Sequence, residues 1–289
     1  MTTELLDPEF VRELEALRRL LGARVRSGGS GARTSRRRGR GSEFEEHRPY
    51  APGDDIARLD WLAFARTGQP VAKEHRADED TILRVLLDGS ASLGSGTPTK
   101  HEVATRIAAS MAYLSLAAGQ RVQLAVATDG RARVLPVHRG RPALGAILHE
   151  LAAVVPSGKT RLEGAVEHVL VGATRPGMLL VLSDFFDEGD VVGALGRARH
   201  AGHELVLVQV LSPEELRPSL DGDVSLVDSE TGEALDVTLD AATVAAYEKR
   251  LSALRDALAA FARRSGARYV PAATDEPLLG VVRRTLAAG

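Results

Sequence analysis

The chain contains no cysteine, which removes disulfides, thiolate nucleophiles and zinc–thiolate sites at once. Aromatic residues make up only 4%, and Trp61 is the single tryptophan. Net charge is nearly absent as well: 37 Lys and Arg stand against 39 Asp and Glu, leaving −2. A general nucleic-acid binder would carry a broad basic surplus, so that class is disfavoured. No uncharged apolar stretch reaches the length of a bilayer span. The first residues, MTTELLDPEF, lack the basic segment and apolar run of a signal peptide. A cytoplasmic protein is the expectation. What remains is 289 residues, 44% of them hydrophobic, enough for one large domain or a domain with an appendage.

Asp7-Pro8 has the residue types of a helix start, and Phe10, Leu14, Leu17 and Leu21 then recur at helical spacing, predicting a helix over 7–22. A Gly/Ser break follows, then a basic run with Arg33, Arg36, Arg37, Arg38 and Arg40. Such a run reads as a solvated arm or as a docking surface for an acidic partner. From Thr81 apolar strand patterns alternate with helical ones. Strands are expected at 82–87, 122–126, 134–137, 178–182, 205–211 and 268–271, and helices over 100–118, 142–153, 162–173, 188–201 and 276–287. Asp129-Gly130 marks a hairpin turn. Residues 223–239 read as a β-hairpin insertion, followed by a long helix that ends at Gly266. This alternation implies a doubly wound, mainly parallel α/β sheet over 81–289, with the insertion at about 220–240 and residues 1–80 as an N-terminal extension.

Chemistry concentrates where the apolar residues Ile82, Leu83, Val85, Leu86 and Leu87 lead into Asp88-Gly-Ser90-Ala-Ser92. Ligands of open parallel sheets bind beyond the carboxyl ends of the strands. Val181-Leu-Ser-Asp184 ends a second buried strand in a carboxylate, and Ser157-Gly-Lys-Thr160 brings a further hydroxyl ahead of a helix. Two carboxylates and three hydroxyls form an all-oxygen set suited to a hard divalent cation, Mg²⁺ first, with Mn²⁺ or Ca²⁺ as alternatives.

Asp88, Ser90, Ser92, Thr160 and Asp184 together resemble the metal-ion-dependent adhesion site of von Willebrand factor A domains. That resemblance implies direct ligation by the three hydroxyls, with the two carboxylates acting mainly through water. An ion so held is under-neutralised and seeks an acidic ligand from outside. The upstream stretch Arg38 to Trp61, with Arg48-Pro-Tyr50, Pro52-Gly53-Asp54-Asp55-Ile56 and Arg58-Leu-Asp60-Trp61, is similar to a bacterial family called domain of unknown function 58. Leu211-Ser-Pro-Glu-Glu-Leu and Val224-Ser-Leu-Val-Asp-Ser-Glu-Thr-Gly-Glu extend the likeness. One departure is Ala57, where that family often has a second arginine. The resemblance implies a MoxR-type AAA+ ATPase as partner, with this chain as adaptor or co-chaperone. Within the signature, Pro49, Pro52 and Gly53 suit a tight turn, Arg48 and Arg58 suit a clamp on Asp54 or Asp55, and Trp61 suits packing.

Asp88 and Ser90 would only cap the next helix if Thr160 and Asp184 were unrelated to them. A metal-dependent hydrolase using Asp88 and Asp184 would want more carboxylates or histidines, and the eight histidines are scattered. A phosphate-binding loop at Gly158-Lys-Thr160 would need glycine where Ala153 stands. Nucleic-acid binding through the arginine run lacks interleaved aromatics. The expected protein is a non-enzymatic, metal-dependent interaction module.

Overall fold

The computed structural model describes residues 5–26, 43–49, 61–67, 69, 71–76, 81–159, 161–218 and 222–287. The chain divides into two units, one formed by Met1–Gly29 with Ile82–Gly289 and the other by Ser30–Thr81. The smaller unit holds strand β1 (Glu43–Pro49), helix α2 (Trp61–Thr67) and strand β2 (Val71–Arg76), with β1 and β2 paired antiparallel. The pairing of this charged segment is a finding beyond the sequence reading. The arginine run, the Pro52–Asp60 turn and the Arg48 and Trp61 side chains lie outside the described residues.

The larger unit begins with α1 (Pro8–Arg26), whose amide of Phe10 donates to Asp7 Oδ1 at 2.8 Å. Strand β3 (Ile82–Asp88) follows, then α3 (Lys100–Ala117), β4 (Arg121–Thr128), β5 (Arg131–Arg139) and α4 (Leu144–Ala152). After these come α5 (Leu162–Val171), β6 (Met178–Ser183), α6 (Val191–His200), β7 (Glu204–Leu211) and the short α7 (Pro213–Leu216). The hairpin β8 (Gly222–Val227) and β9 (Ala234–Leu239) leads into α8 (Ala241–Ser265), β10 (Arg268–Ala273) and α9 (Leu278–Leu286). Six strands form one sheet in the order β10-β7-β6-β3-β4-β5, parallel except for β5, which returns antiparallel beside β4. The chain winds outward from β3 in one direction and from β6 in the other, so the crevice between these two strands is the topological switch point.

Alternation explains why β3 is apolar on both faces apart from the buried Arg84 and the terminal Asp88. Leu83, Val85 and Leu87 enter a core shared with α1, α3, α4 and α9, whereas Leu86 enters a second core with α5, α6 and α8. Both faces are covered, as in other doubly wound sheets. Leu6, Phe10, Leu14 and Leu17 are buried in the first core. The first helix therefore belongs to the sheet unit, and the expected 1–80 extension does not describe it. Gly266, at φ 66, closes α8 in the left-handed conformation that glycine tolerates. Among the described residues no helix is long and apolar enough to cross a membrane.

Candidate metal site at the carboxyl edge of the sheet

Asp88 is the last residue of β3, and Asp184 follows the last residue of β6. Leu87 pairs with Leu182 across these neighbouring strands, so both acids leave the sheet at the switch point. Each is almost completely buried. The loop after β3 turns back over the edge as Asp88 Oδ1 accepts the Ser90 amide at 3.0 Å. Ser90 Oγ and Ser92 Oγ stand 3.0 Å apart, and Ser92 Oγ donates to Asp184 Oδ2 at 3.0 Å. Four of the five expected residues thus meet at one edge: Asp88 binds the Ser90 amide, and Ser90, Ser92 and Asp184 form a chain of side-chain contacts.

Helix capping does not account for them. Ser90 precedes a 3₁₀ turn (Ala91–Gly94) without any side-chain cap bond. Helix α3 has its own capping box, formed by Thr99 and Glu102.

Thr160, the fifth residue, lies outside the described residues. Its neighbours are tied to the rim. The Ala91 amide donates to the Gly158 carbonyl at 3.1 Å, and the Ser157 amide donates to the Gly89 carbonyl at 2.8 Å. The Lys159 amide donates to Asp129 Oδ1 at 2.9 Å, and the Leu162 amide donates to Asp187 Oδ2 at 2.5 Å.

Several further residues shape the site. Ser183 Oγ donates to Asp88 Oδ2 at 2.6 Å and accepts the Phe185 amide at 2.9 Å. Phe185 is a buried non-glycine residue at φ 61, a left-handed conformation that costs energy and clusters at functional sites. Gln209 fixes the Asp184 backbone by donating to its carbonyl at 2.9 Å, and Gln209 in turn accepts from Tyr269 at 2.6 Å. Lys100 is 1% exposed and donates to Asp184 Oδ2 at 2.7 Å and Glu215 Oε1 at 2.5 Å. Its ammonium also lies 5.5 Å from the Phe186 ring centre. None of these was singled out from sequence. For Lys100 a signal existed, because it continues the buried stripe of Val103, Ile107 and Met111, where a charge requires partners.

Electrostatics follow from this enclosure. Burial raises the Asp88 carboxyl to about 6, and the negative charge of Asp184 adds to that, while bonds from Ser183 and Ser90 oppose it. Burial alone would push Lys100 down, but the charges of Asp184 and Glu215 leave it above its ordinary value. With all groups ionised, three carboxylates (Asp88, Asp184, Glu215) face one ammonium, a net of −2. A divalent cation balances that charge, and the donors are oxygens, as a hard ion requires. The residues present fit a divalent metal.

A six-stranded sheet in this order, with one antiparallel edge and acid-and-hydroxyl loops at its switch point, is the doubly wound α/β arrangement expected of a von Willebrand factor A-type domain. The family described as Protein of unknown function DUF58 matches residues 46–257, and the chain belongs to it. Uncharacterized protein Rv1480 of Mycobacterium tuberculosis is 31% identical over 255 residues, covering 86% of this chain and 80% of that protein. BatB from Bacteroides thetaiotaomicron is similar in structure, with a TM-score of 0.46 and 16% identity over 71% of this chain and 97% of that one. The vWF domain of the pilus tip protein Mfa5 from Porphyromonas gingivalis gives 0.30 and 14% over 72% and 86%. The fold assignment rests on strand order and register, not on these distant likenesses.

Proposed function

We propose that this chain is a metal-dependent protein-interaction module. The observation that carries the reading is the convergence of Asp88, Ser90, Ser92 and Asp184 at the switch point, with Ser92 half-buried and the others sealed. Ser90, Ser92 and Thr160 would hold a divalent ion directly, and Asp88 and Asp184 would balance it. When bound, the ion supplies an electrophilic docking point for a carboxylate from another protein. The chain's own part is to orient the hydroxyls. Phe186, 37% exposed next to the Lys100 ammonium, offers an apolar contact beside that point. The hydrolase alternative gains no support from the groups around the two acids, which among the described residues are hydroxyls and an ammonium with no histidine.

Family membership makes a MoxR-type AAA+ ATPase the proposed partner, with this chain as adaptor or co-chaperone. The test is binding of the purified chain to a purified MoxR-type ATPase from the same bacterium, with Mg²⁺ and with EDTA. Binding that EDTA and Asp88→Ala abolish alike, in a protein that stays folded, is the expected result. Binding indifferent to both would move recognition to another surface.

A further inference from the structure

The rim already contains a cation. Lys100 stands at the first turn of α3, where its ammonium is enclosed between Asp184 of the β6 end and Glu215 of α7. Asp184 Oδ2 accepts from Lys100 and from Ser92 together, so the ammonium and the hydroxyl chain share one oxygen. Glu215 is itself held on two sides. Its carboxylate accepts the Ser212 amide at 2.8 Å in a capping box, and its carbonyl accepts from Tyr247 of α8 at 2.9 Å. Asp184 is fully sealed from water while Glu215 is partly exposed, and a buried carboxylate without a counter-charge is strongly destabilising.

We propose that Lys100 is a built-in counter-ion that keeps the rim assembled whether or not a metal is bound. It acts through Asp184 and is a positioning residue. The proposal rests on the metal reading above in one respect only: a divalent ion would share Asp184 with the ammonium and be repelled by it. The site would then load reversibly and stay preformed when empty. Removing the ammonium should convert it into one that needs metal to hold its shape.

The experiment is thermal unfolding of the full chain and of the K100M, K100R and K100M/D184N variants, each in EDTA and in millimolar Mn²⁺, with Mn²⁺ affinity measured by calorimetry. In EDTA, K100M should melt on the order of 10 °C below wild type, since a buried charge has lost its partner. K100R should retain most of the stability, because it keeps the charge. Mn²⁺ should recover K100M more than it raises wild type and should bind K100M at least about tenfold tighter, the like charge having gone. A lysine that only fills space would produce no such recovery. If K100M fails to fold, K100M/D184N restores the fold by removing the sealed one of the two acids left unpaired, the other, Glu215, being partly exposed. K100M as stable as wild type in EDTA would overturn the proposal. So would equal loss in K100M and K100R without recovery by Mn²⁺, or a double variant no more stable than K100M. If neither wild type nor K100M responds to Mn²⁺ while K100R keeps its stability, the counter-ion role stands and the metal reading falls.

Discussion

Ser92 and Asp184, 92 residues apart in sequence, are joined by a 3.0 Å hydrogen bond across the switch point of the sheet. Each comes from a loop that leaves a buried strand at the same edge, so the bond reports how the two halves of the sheet meet. It also sets the electrostatic problem of the site, because Asp184 is fully enclosed and its neighbour Asp88 is an acid too. Hydroxyl and amide donors and one ammonium are the remedies the structure shows, and a divalent cation is the one proposed above.

Ser183 links the two strand ends, and its loss should be felt at both. Ser183→Ala removes the donor to Asp88 and the acceptor of the Phe185 amide. A hydrogen bond to a charged group contributes roughly 1.5–3 kcal/mol, so urea unfolding should show destabilisation of that order. An unchanged midpoint would mean that Asp88 is held without it.

The pH dependence of Asp88 has a definite sign. Its folded value of about 6 lies above the ordinary 3.8. Its contribution therefore favours the fold fully below 3.8 and is lost as pH rises through about 6. In EDTA, Asp88→Asn should gain on wild type by up to roughly 3 kcal/mol between about pH 4 and pH 7. The comparison with the variant cancels His101 and His203, whose values burial lowers and whose effect runs the opposite way. A stability gap that stays flat over this range would contradict the environment described for Asp88.

Gly164 on α5 packs against the backbone of Gly130, where an added Cβ would collide with the carbonyl oxygen. That turn carries Asp129, which anchors the Lys159 amide beside the position of Thr160. Gly164→Ala should cost about 1–3 kcal/mol by overpacking and weaken Mn²⁺ binding through the displaced loop. Weakened stability with unaltered metal affinity would separate that loop from the site.

Much of this architecture was legible because strands buried on both faces leave short apolar runs, as at Val85–Leu87 and Leu179–Leu182. The acids at their ends and the β8–β9 hairpin followed from pattern alone. The strands of the small unit were not legible, since Glu-Phe-Glu-Glu-His-Arg-Pro has no apolar alternation and pairs through its backbone with β2. Nor did the stripe of Phe10, Leu14 and Leu17 say which surface would cover it. Glu215 was hidden for another reason: its capping box is a local pattern, while its bond to Lys100 spans 115 residues.

The most direct measurement is calorimetric titration of the EDTA-stripped chain with Mn²⁺ and Mg²⁺, beside a Ser90→Ala, Ser92→Ala double variant checked for folding by circular dichroism. The account predicts one divalent ion per wild-type chain and none for the variant at millimolar metal. A wild type that binds no divalent ion, or a variant that binds as well as wild type, would contradict it.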